Sequence, residues 1–385
     1  MNIFINDFAA ISRLGMSRRE TEESLTSSEP PRPDTRSLLN GGQYTITAAL
    51  PGPFPVGLNG RTRTNQIIAA MADRLQECCE DLLSHYPAKR IGVVLGTSTT
   101  GIEEAIAPLQ SRLETGEWKN DFRFSDQELG DPANFLKEYL KLEGTSYTVS
   151  TACTSGMKSI ISGARMIQTG IADAVICGGA DSLSRLTTNG FSSLDSVSPE
   201  PCLPFSANRR GINIGEGGAL FVLSRDPGPW RLAGWGESSD AHHISSPEPS
   251  GIAAEKAVRQ AFEKARLDAG DIGFVHMHGT ATKLNDMMEA TLVNRVFGAD
   301  VPAASTKGMT GHTLGAAGAV QLAINLIAMD CGIYPPHIYD DDWDSSLQPI
   351  RLTRKQEVAE RSVEHTLACC YAFGGSNAVV VAGRG

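Results

Sequence analysis

The chain alternates between long segments with apolar residues at helical spacing and short runs rich in β-formers. From Thr64 to Tyr86 the spacing predicts one amphipathic helix. Its apolar face would carry Ile67, Ile68, Met71, Leu75, Cys78 and Leu82. Before this helix, the region from Glu29 to Gly60 is rich in proline and glycine and predicts an irregular excursion.

Cys153 lies where a run of β-formers meets a segment with helical spacing. Tyr147–Thr151 is rich in β-formers, whereas Gly156–Thr169 has apolar residues at helical spacing. Cys153 is therefore expected at or near a helix N-terminus, where free backbone N–H groups and the helix dipole favour the reactive thiolate. The alternative interpretation is a small buried hydrophobic residue, as free cysteines often are.

The sequence also resembles itself. A shift of 162 residues superposes the segment that begins at Cys153 on the segment that begins at Gly315. The matched pairs are Gly156 with Gly318, Ile160 with Leu322, Ala164 with Leu326, Ile167 with Met329 and Gly170-Ile171 with Gly332-Ile333. Since only two copies occur, the pattern indicates a duplicated half rather than a solenoid.

The boundary between the halves is predicted in the turn-rich stretch Ser224–Pro229, which separates two apolar runs. We therefore expect an N-terminal half over residues 1–228 and a C-terminal half over residues 229–385 that share one layered core.

Composition narrows the class of protein. The 385 residues are 41% hydrophobic and include 39 glycines, which suits a large α/β core with many tight turns. No apolar run approaches the ~20 residues of a membrane span, and the N-terminus does not read as a signal peptide, so a cytoplasmic protein is expected. A net charge of 34 − 44 = −10 argues against nucleic-acid binding.

The eight cysteines have no CxxC spacing, so neither a metal site nor a disulfide framework is predicted. Three further motifs follow Cys153 along the chain. Phe274–Thr282 contains His278, Ser305–His312 contains Lys307 and His312, and Tyr371–Asn377 contains a Phe-Gly-Gly turn.

In this order, the motifs resemble those of the β-ketoacyl-acyl carrier protein synthases of the elongating branch of the thiolase superfamily. The resemblance rests on Ala152-Cys153, His278-Gly-Thr-Ala-Thr282, Lys307, Gly311-His312 and Phe373-Gly-Gly-Ser-Asn377. Gly215-Glu-Gly217 and Ile11-Ser-Arg-Leu-Gly15 extend the match to nearly the whole chain. It implies a thiolase-like α/β fold of five layers, αβαβα, whose two pseudo-duplicated halves bring their central helices face to face.

The resemblance also implies a reaction, a decarboxylative Claisen condensation of an acyl group on Cys153 with malonyl-acyl carrier protein. The backbone N–H groups of Cys153 and Phe373 would form the oxyanion hole, helped by the Gly374-Gly375 turn. Phe373 would also gate access to the nucleophile. No cofactor is expected, because the substrates arrive on the phosphopantetheine arm of the carrier protein.

The remaining roles carried over by resemblance fall on four polar residues. His278 and His312 would stabilise the enolate of the malonyl thioester, with their individual acid and base roles left open. Lys307 would hold the hydrogen-bond network of the site, and Glu289 would be its acidic partner.

Two kinds of partner are implied. Arg61, Arg63 and Arg209 are predicted to dock an acidic acyl carrier protein against this acidic chain. Synthases of this fold are dimers, and the sequence leaves open a homodimer or a heterodimer with a chain-length factor.

Some features depart from the family pattern or suggest other activities. Lys283 replaces a usual proline and Ser206 a usual acidic residue, which affects loops rather than catalytic groups. A biosynthetic thiolase would carry a second cysteine where this chain has Phe373-Gly-Gly-Ser, and a ketosynthase III or chalcone-type enzyme would lack His312. A non-condensing chain-length factor usually lacks the nucleophile.

The pathway stays open between fatty acid, polyketide and aryl polyene synthesis. Ala152–Gly156 looks closer to the ketosynthase subunit of type II polyketide or aryl polyene systems.

Overall fold

A computed structural model describes residues 2–52, 54, 60–118, 122–359 and 362–385. The strands in these ranges are β1 (Phe4–Ile11), β2 (Thr35–Leu38), β3 (Tyr44–Ala48), β4 (Ile91–Gly96), β5 (Ser146–Val149), β6 (Ala174–Asp181), β7 (Ile214–Gly215), β8 (Gly217–Ser224), β9 (Trp230–Ser239), β10 (Phe274–His276), β11 (Pro302–Ala304), β12 (Arg351–Leu352), β13 (His365–Ala372) and β14 (Ser376–Arg384). The α-helices are α1 (Arg18–Thr26), α2 (Arg63–Ala72), α3 (Gln76–His85), α4 (Ile102–Thr115), α5 (Asp131–Tyr139), α6 (Ser155–Gln168), α7 (Arg185–Ser192), α8 (Ile252–Ala265), α9 (Lys283–Phe297), α10 (Lys307–Thr310) and α11 (Ala317–Cys331).

Eleven strands form one continuous hydrogen-bonded series, in the order β12-β11-β10-β13-β14-β9-β1-β8-β6-β4-β5. Its middle is the antiparallel contact of β1 with β9, where Ile5 lies opposite Trp230. On one side β4, β5 and β6 are parallel and β8 and β1 antiparallel. On the other side β10, β11 and β13 are parallel and β14 and β9 antiparallel. The two arrays have the same order and direction, which confirms the predicted duplication.

Helices cover both arrays and fill the space between them. Helices α6 and α11 contribute buried apolar side chains, among them Ile160, Ile161, Leu322 and Leu326, to a central core that both arrays share. A second core packs α2, α3 and α5 on the outer face of the first array, and a third packs α8 and α9 on the second. The five layers αβαβα of the thiolase-like fold are therefore present.

The central helices touch through glycine. A Cβ added to Gly156 would lie 2.9 Å from the carbonyl oxygen of Gly315 and 3.2 Å from Cβ of Ala319. A Cβ on Gly318 would lie 2.9 Å from Cβ of Met157. The glycines that led the self-similar segments thus allow the backbones of α6 and α11 to approach closely.

Two predictions about local structure were wrong. The helix expected over 64–86 is broken by a 3₁₀ turn at Asp73–Leu75, which the apolar spacing did not reveal because Leu75 is buried within the turn. The excursion before it contains β2 and β3, which pair with each other and, through Thr47 and Ile214, with β7. The sequence pattern did not predict these strands because they are short and because β7, one of the two partners of β3, is distant in sequence.

One described segment, Leu314–Cys331, is long and apolar enough to span a membrane by composition, with a mean hydropathy of 1.5. It contains α11 and is 89% buried inside the protein, so packing between the two arrays accounts for its apolar character. The division at residues 228 and 229 falls in the connection between β8 and β9 and stays a prediction.

We predict that Gly156→Ala destabilises the fold by about 1–3 kcal/mol, because the added methyl group overpacks the contact between α6 and α11. Gly190→Ala is the matched control, since Gly190 lies in α7 with open space around its Cβ position. This control should leave the stability unchanged or raise it by up to about 1 kcal/mol. Urea unfolding would measure both, and equal midpoints would contradict the close helix contact.

Candidate active site

Cys153 occupies a tight turn between β5 and α6. Ala152 adopts a left-handed conformation with φ of 53°, and the helix begins two residues after the cysteine, at Ser155. The side chain of Ser155 fixes the turn, since its Oγ accepts the Thr151 N–H at 2.9 Å and bonds the Ala152 carbonyl at 2.5 Å. The predicted position of Cys153 at a helix N-terminus is therefore confirmed.

His312 lies directly against the thiol. Its Nε2 is 3.1 Å from Sγ of Cys153, and its Nδ1 accepts the Leu314 N–H at 3.1 Å. A neutral imidazole that accepts at one nitrogen carries its proton on the other. His312 is therefore an Nε2–H donor directed at the sulfur.

His278 follows β10 and completes the cluster. Its ring is nearly perpendicular to that of His312, with the ring centres 5.2 Å apart. Lys307 Nζ lies 3.3 Å from His278 Nδ1 and also donates to the His278 carbonyl oxygen. An ammonium has only donors, so His278 Nδ1 accepts and Nε2 carries the proton in this ring as well. The structure thus brings the predicted Cys153, His278, His312 and Lys307 together.

Glu289, the predicted acidic partner of Lys307, does not bond the lysine directly. Glu289, on α9, instead accepts the N–H of His278 at 2.5 Å and of Gly279 at 2.6 Å. The carboxylate therefore fixes the backbone that carries His278. Burial lowers the pKa of Lys307, and the charge of Glu289 opposes that lowering at longer range. Sequence could not separate these roles, because both place Glu289 beside the same motif.

Burial controls protonation in the site. It raises the pKa of Cys153 to about 11, against the lowering effects of Lys307 and of the backbone N–H groups of Cys153 and Phe373. Burial, and then the charge of Lys307, hold the pKa values of His278 and His312 well below the usual range. The resting site is a neutral thiol beside two neutral imidazoles. The expectation that the helix N-terminus favours thiolate did not include this desolvation.

Phe373 stands at the turn between β13 and β14. Its backbone N–H and that of Cys153 both act on the sulfur and lower the pKa of the thiol against the effect of burial. Gly374 and Gly375 continue the turn with φ of 84° and 75°, a conformation that favours glycine. The ring of Phe373 packs against Phe191, with centroids 5.7 Å apart. These roles in catalysis stay predictions.

The cluster opens into a cavity of about 220 Å³. Its wall combines apolar groups with hydroxyls and one lysine: Phe191, Leu194, Ser196, Ile212, Ser245, Ser246, Pro247, Thr280, Thr282, Lys283, Leu284, Asn285, Tyr371, Ala372 and Phe373. Lys283, which departs from the family pattern, begins α9 and lines this cavity. Ser206 is fully buried, and its Oγ accepts the Asn208 N–H at 2.9 Å, so it shapes a turn.

Cys153, His278 and His312 also have the composition of a zinc site, and their ligand atoms lie within 4.8 Å of one another. The hydrogen bonds argue against that use. A histidine that binds zinc normally donates from its second nitrogen, whereas Nδ1 of both rings here accepts a hydrogen bond. The buried Lys307 adds an unfavourable positive charge, so the expectation of no metal stays a prediction with this support.

The predicted docking arginines differ in their surroundings. Arg209 is 6% exposed and bonds Asp344 at 2.6 Å, so its assignment as a docking residue was wrong. The guanidinium of Arg63 makes two hydrogen bonds to the buried Glu216, at 2.6 and 2.5 Å, and this structural pair occupies it. Arg61 lies 3.0 Å from Asp126 with 43% of its side chain exposed, which leaves it as a candidate contact.

Comparison with known proteins places the chain in a family. Residues 69–227 match the N-terminal domain of β-ketoacyl synthases, and residues 231–339 match their C-terminal domain. The chain belongs to the β-ketoacyl synthase family.

Particular relatives include a 3-oxoacyl-[acyl-carrier-protein] synthase and a subunit of a polyketide synthase. The chain is 32% identical to 3-oxoacyl-[acyl-carrier-protein] synthase 2 of Vibrio cholerae, over 76% of each chain. It is also 32% identical to the tetracenomycin polyketide synthase ketoacyl synthase alpha subunit of Streptomyces glaucescens, over 77% of this chain and 75% of that one.

Among solved structures, the chain resembles one from the complex of a ketosynthase with its chain length factor from Xenorhabdus doucetiae. The identity is 35%, the TM-score is 0.94, and the match covers 100% of this chain and 98% of that one.

We predict that alkylation of Cys153 by iodoacetamide accelerates about tenfold per pH unit between pH 7 and 9, since the reactive thiolate is a small fraction below a pKa of about 11. Peptide mass spectrometry would measure alkylation at Cys153. The Cys153→Ala variant would show how much alkylation occurs at the other cysteines. Lys307→Met should slow the reaction at each pH. Lys158→Met should not, because Lys158 lies on α6 with its Nζ 3.9 Å from Glu237. A rate that is already constant above pH 7 would contradict a neutral resting thiol.

Proposed function

We propose that the chain catalyses a decarboxylative Claisen condensation that produces β-ketoacyl-acyl carrier protein. The observation that carries the proposal is a buried thiol surrounded by two imidazoles whose protonated nitrogens the protein fixes. Two fixed N–H donors match the needs of a carbonyl that becomes an enolate.

The first half-reaction is acyl transfer. Sγ of Cys153 attacks the acyl thioester and forms a new carbon–sulfur bond, while the bond to the carrier thiol breaks and that thiol leaves with the cysteine proton. The N–H groups of Cys153 and Phe373 hold the tetrahedral oxyanion, a contribution of about 3 kcal/mol for each donor. Because Cys153 is neutral at rest, its proton has to leave during or before the attack.

The second half-reaction forms the carbon–carbon bond. The malonyl thioester loses carbon dioxide, and the electron pair of the broken bond becomes an enolate whose oxygen accepts from His278 and His312 Nε2–H. The enolate carbon attacks the acyl group on Cys153, the bond to sulfur breaks, and one proton restores the thiol. In total, acyl-cysteine, malonyl thioester and a proton react to give β-ketoacyl thioester, carbon dioxide and free cysteine.

The carrier protein is the proposed source of both substrates, delivered on a phosphopantetheine arm, so no resident cofactor is needed. The name of the Vibrio cholerae relative supports this assignment. A dimer is proposed as well, either with a second copy or with a chain-length factor. The Xenorhabdus doucetiae complex supports the second arrangement. We place the activity in the cytoplasm, in fatty acid, polyketide or aryl polyene synthesis.

Two other activities are disfavoured. A chain-length-factor-like subunit would not need the intact Cys153, His278 and His312, which here meet within 4.8 Å. A biosynthetic thiolase would need a second cysteine at the turn that Phe373 and the two glycines occupy.

Acylation followed by condensation tests the proposal. Incubation with acyl-carrier protein should add one acyl group to the wild-type chain and none to Cys153→Ala, as measured by intact mass. Added malonyl-carrier protein should discharge the adduct as an extended β-ketoacyl product. If no adduct forms with or without a co-purified partner subunit, under conditions that acylate a known synthase, the proposed function is wrong.

Carrier docking through Arg61 has its own test. Arg61→Glu should raise KM for carrier-bound substrate and leave KM for a small acyl thioester unchanged, because only the carrier has an acidic surface to repel. Arg19→Glu is a matched control, since Arg19 is highly exposed on α1. Equal changes for both substrates would reject the contact.

A further inference from the structure

Asp181 is a fully buried carboxylate that the proposed reaction does not use. It is the last residue of β6 and has no exposed surface. Its Oδ1 accepts the hydroxyl of Thr97 at 2.8 Å, the N–H of Ser98 at 2.7 Å, and both the N–H and hydroxyl of Thr99 at 2.8 and 2.7 Å. Its Oδ2 accepts the N–H of Ala316 at 3.1 Å. Five donors on one buried carboxylate form an anchor.

This anchor joins the two halves beside the active site. The loop held by Oδ1 follows β4, whose last residue, Gly96, lies so close to the start of α6 that an added Cβ would be 2.3 Å from the Gly156 nitrogen. The Ala316 N–H held by Oδ2 belongs to the first turn before α11 in the other half. One carboxylate thus contacts both the segment beside Cys153 and the segment after His312.

The turn before α11 depends on such an anchor. Leu314 has a φ of 50°, a strained conformation for a residue with a side chain. The helix has no side-chain cap of its own, so the Asp181 carboxylate takes that place from a distant strand. A Cβ on Gly315 would lie 2.7 Å from Oδ2 of Asp181, so the carboxylate reaches the turn only because residue 315 is glycine.

The same strained residue sets the state of His312. The Leu314 N–H is the donor to His312 Nδ1, and it is this bond that leaves the ring proton on Nε2, toward Cys153. We infer that Asp181 is a positioning residue for His312, whose carboxylate holds the turn 313–316 so that the Leu314 N–H fixes the histidine tautomer.

The inference requires the ionised carboxylate. A protonated acid or an amide would place a donor opposite the Ala316 N–H, and two donors repel. Burial raises the pKa of Asp181, and the hydrogen bonds of Ser98, Thr99 and Thr97 oppose that rise. The four donors on Oδ1 therefore help to keep charge at a site where desolvation disfavours it.

Asp181→Asn tests the inference without altering the shape of the side chain. The variant retains an oxygen for the loop after β4 and sets an NH₂ against the Ala316 N–H. Nitrogen-15 NMR of the substrate-free protein measures the tautomer, and the signals of His312 are identified because they are missing in His312→Gln. The wild type should show a single Nε2–H tautomer for His312, and Asp181→Asn should show a mixture of tautomers. Ile176→Val, a buried change on the same strand, controls for lost stability and should leave the tautomer unchanged.

Kinetics give a second readout, which rests on the proposed function. Per active site, counted by acylation of Cys153, Asp181→Asn should lower kcat for condensation about tenfold to a hundredfold, by comparison with the loss of groups that orient metal-binding histidines. KM for malonyl-carrier protein should change less than twofold. A folded variant with wild-type histidine signals and wild-type kcat would overturn the inference.

Two safeguards keep the test decisive. If Asp181→Asn does not fold, Thr97→Val removes one donor from Oδ1 and should shift the tautomer and kcat in the same direction by a smaller amount. Unchanged signals in that variant would then overturn the inference. If the wild-type protein shows no condensation, the proposed function fails, while the NMR comparison still decides the role of Asp181.

Discussion

The close contact between α6 and α11 is the constraint on which the rest of the structure depends. Each helix begins at the active site, one just after Cys153 and the other a few residues after His312. Bare backbone at Gly156 and Gly318 lets the helices approach, so their N-terminal ends converge and the thiol and imidazole come within 3.1 Å. Any side chain that separated the helices would also separate the reacting groups.

Burial is the second consequence of this packing. A site enclosed by two strand arrays and two helices loses solvent, so its thiol and histidines are neutral at rest, and Lys307 brings a positive charge close to them. The protein compensates with fixed hydrogen bonds. Glu289 holds the backbone of His278, and Leu314 and Lys307 each donate to one imidazole. Such fixed donors need little reorganisation when charge develops on a substrate.

Sequence patterns predicted what depends on repetition and missed what depends on distant contacts. The spacing of apolar residues in α6 and α11 and the glycines that lead them were enough to predict the duplication. The turn at Cys153 followed from a change of period at Gly156. The break at Asp73–Leu75 was missed because burial of Leu75 continues the apolar pattern through it.

The errors within the site come from contacts between residues that are distant in the chain. Motifs placed Glu289 near Lys307 and Arg209 near a partner surface. In the structure Glu289 bonds backbone N–H groups, and Arg209 is buried and bonds Asp344. The neutral state of Cys153 results from the desolvation of a whole layered core, which no local pattern encodes. Asp181 ends an apolar strand as a single carboxyl group, and its partners lie 82 to 135 residues away in the chain.

The duplication carries one more consequence. Cys153 and Gly315 stand at equivalent positions in the two repeats, so the duplicated fold offers two positions for a thiol, and this chain has a cysteine at one of them. The room left by the absent side chain at Gly315 is what admits the carboxylate of Asp181 from the other half. The two repeats therefore contribute differently. One carries the thiol of Cys153, and the other leaves the space at Gly315 through which the carboxylate of Asp181 joins the two halves.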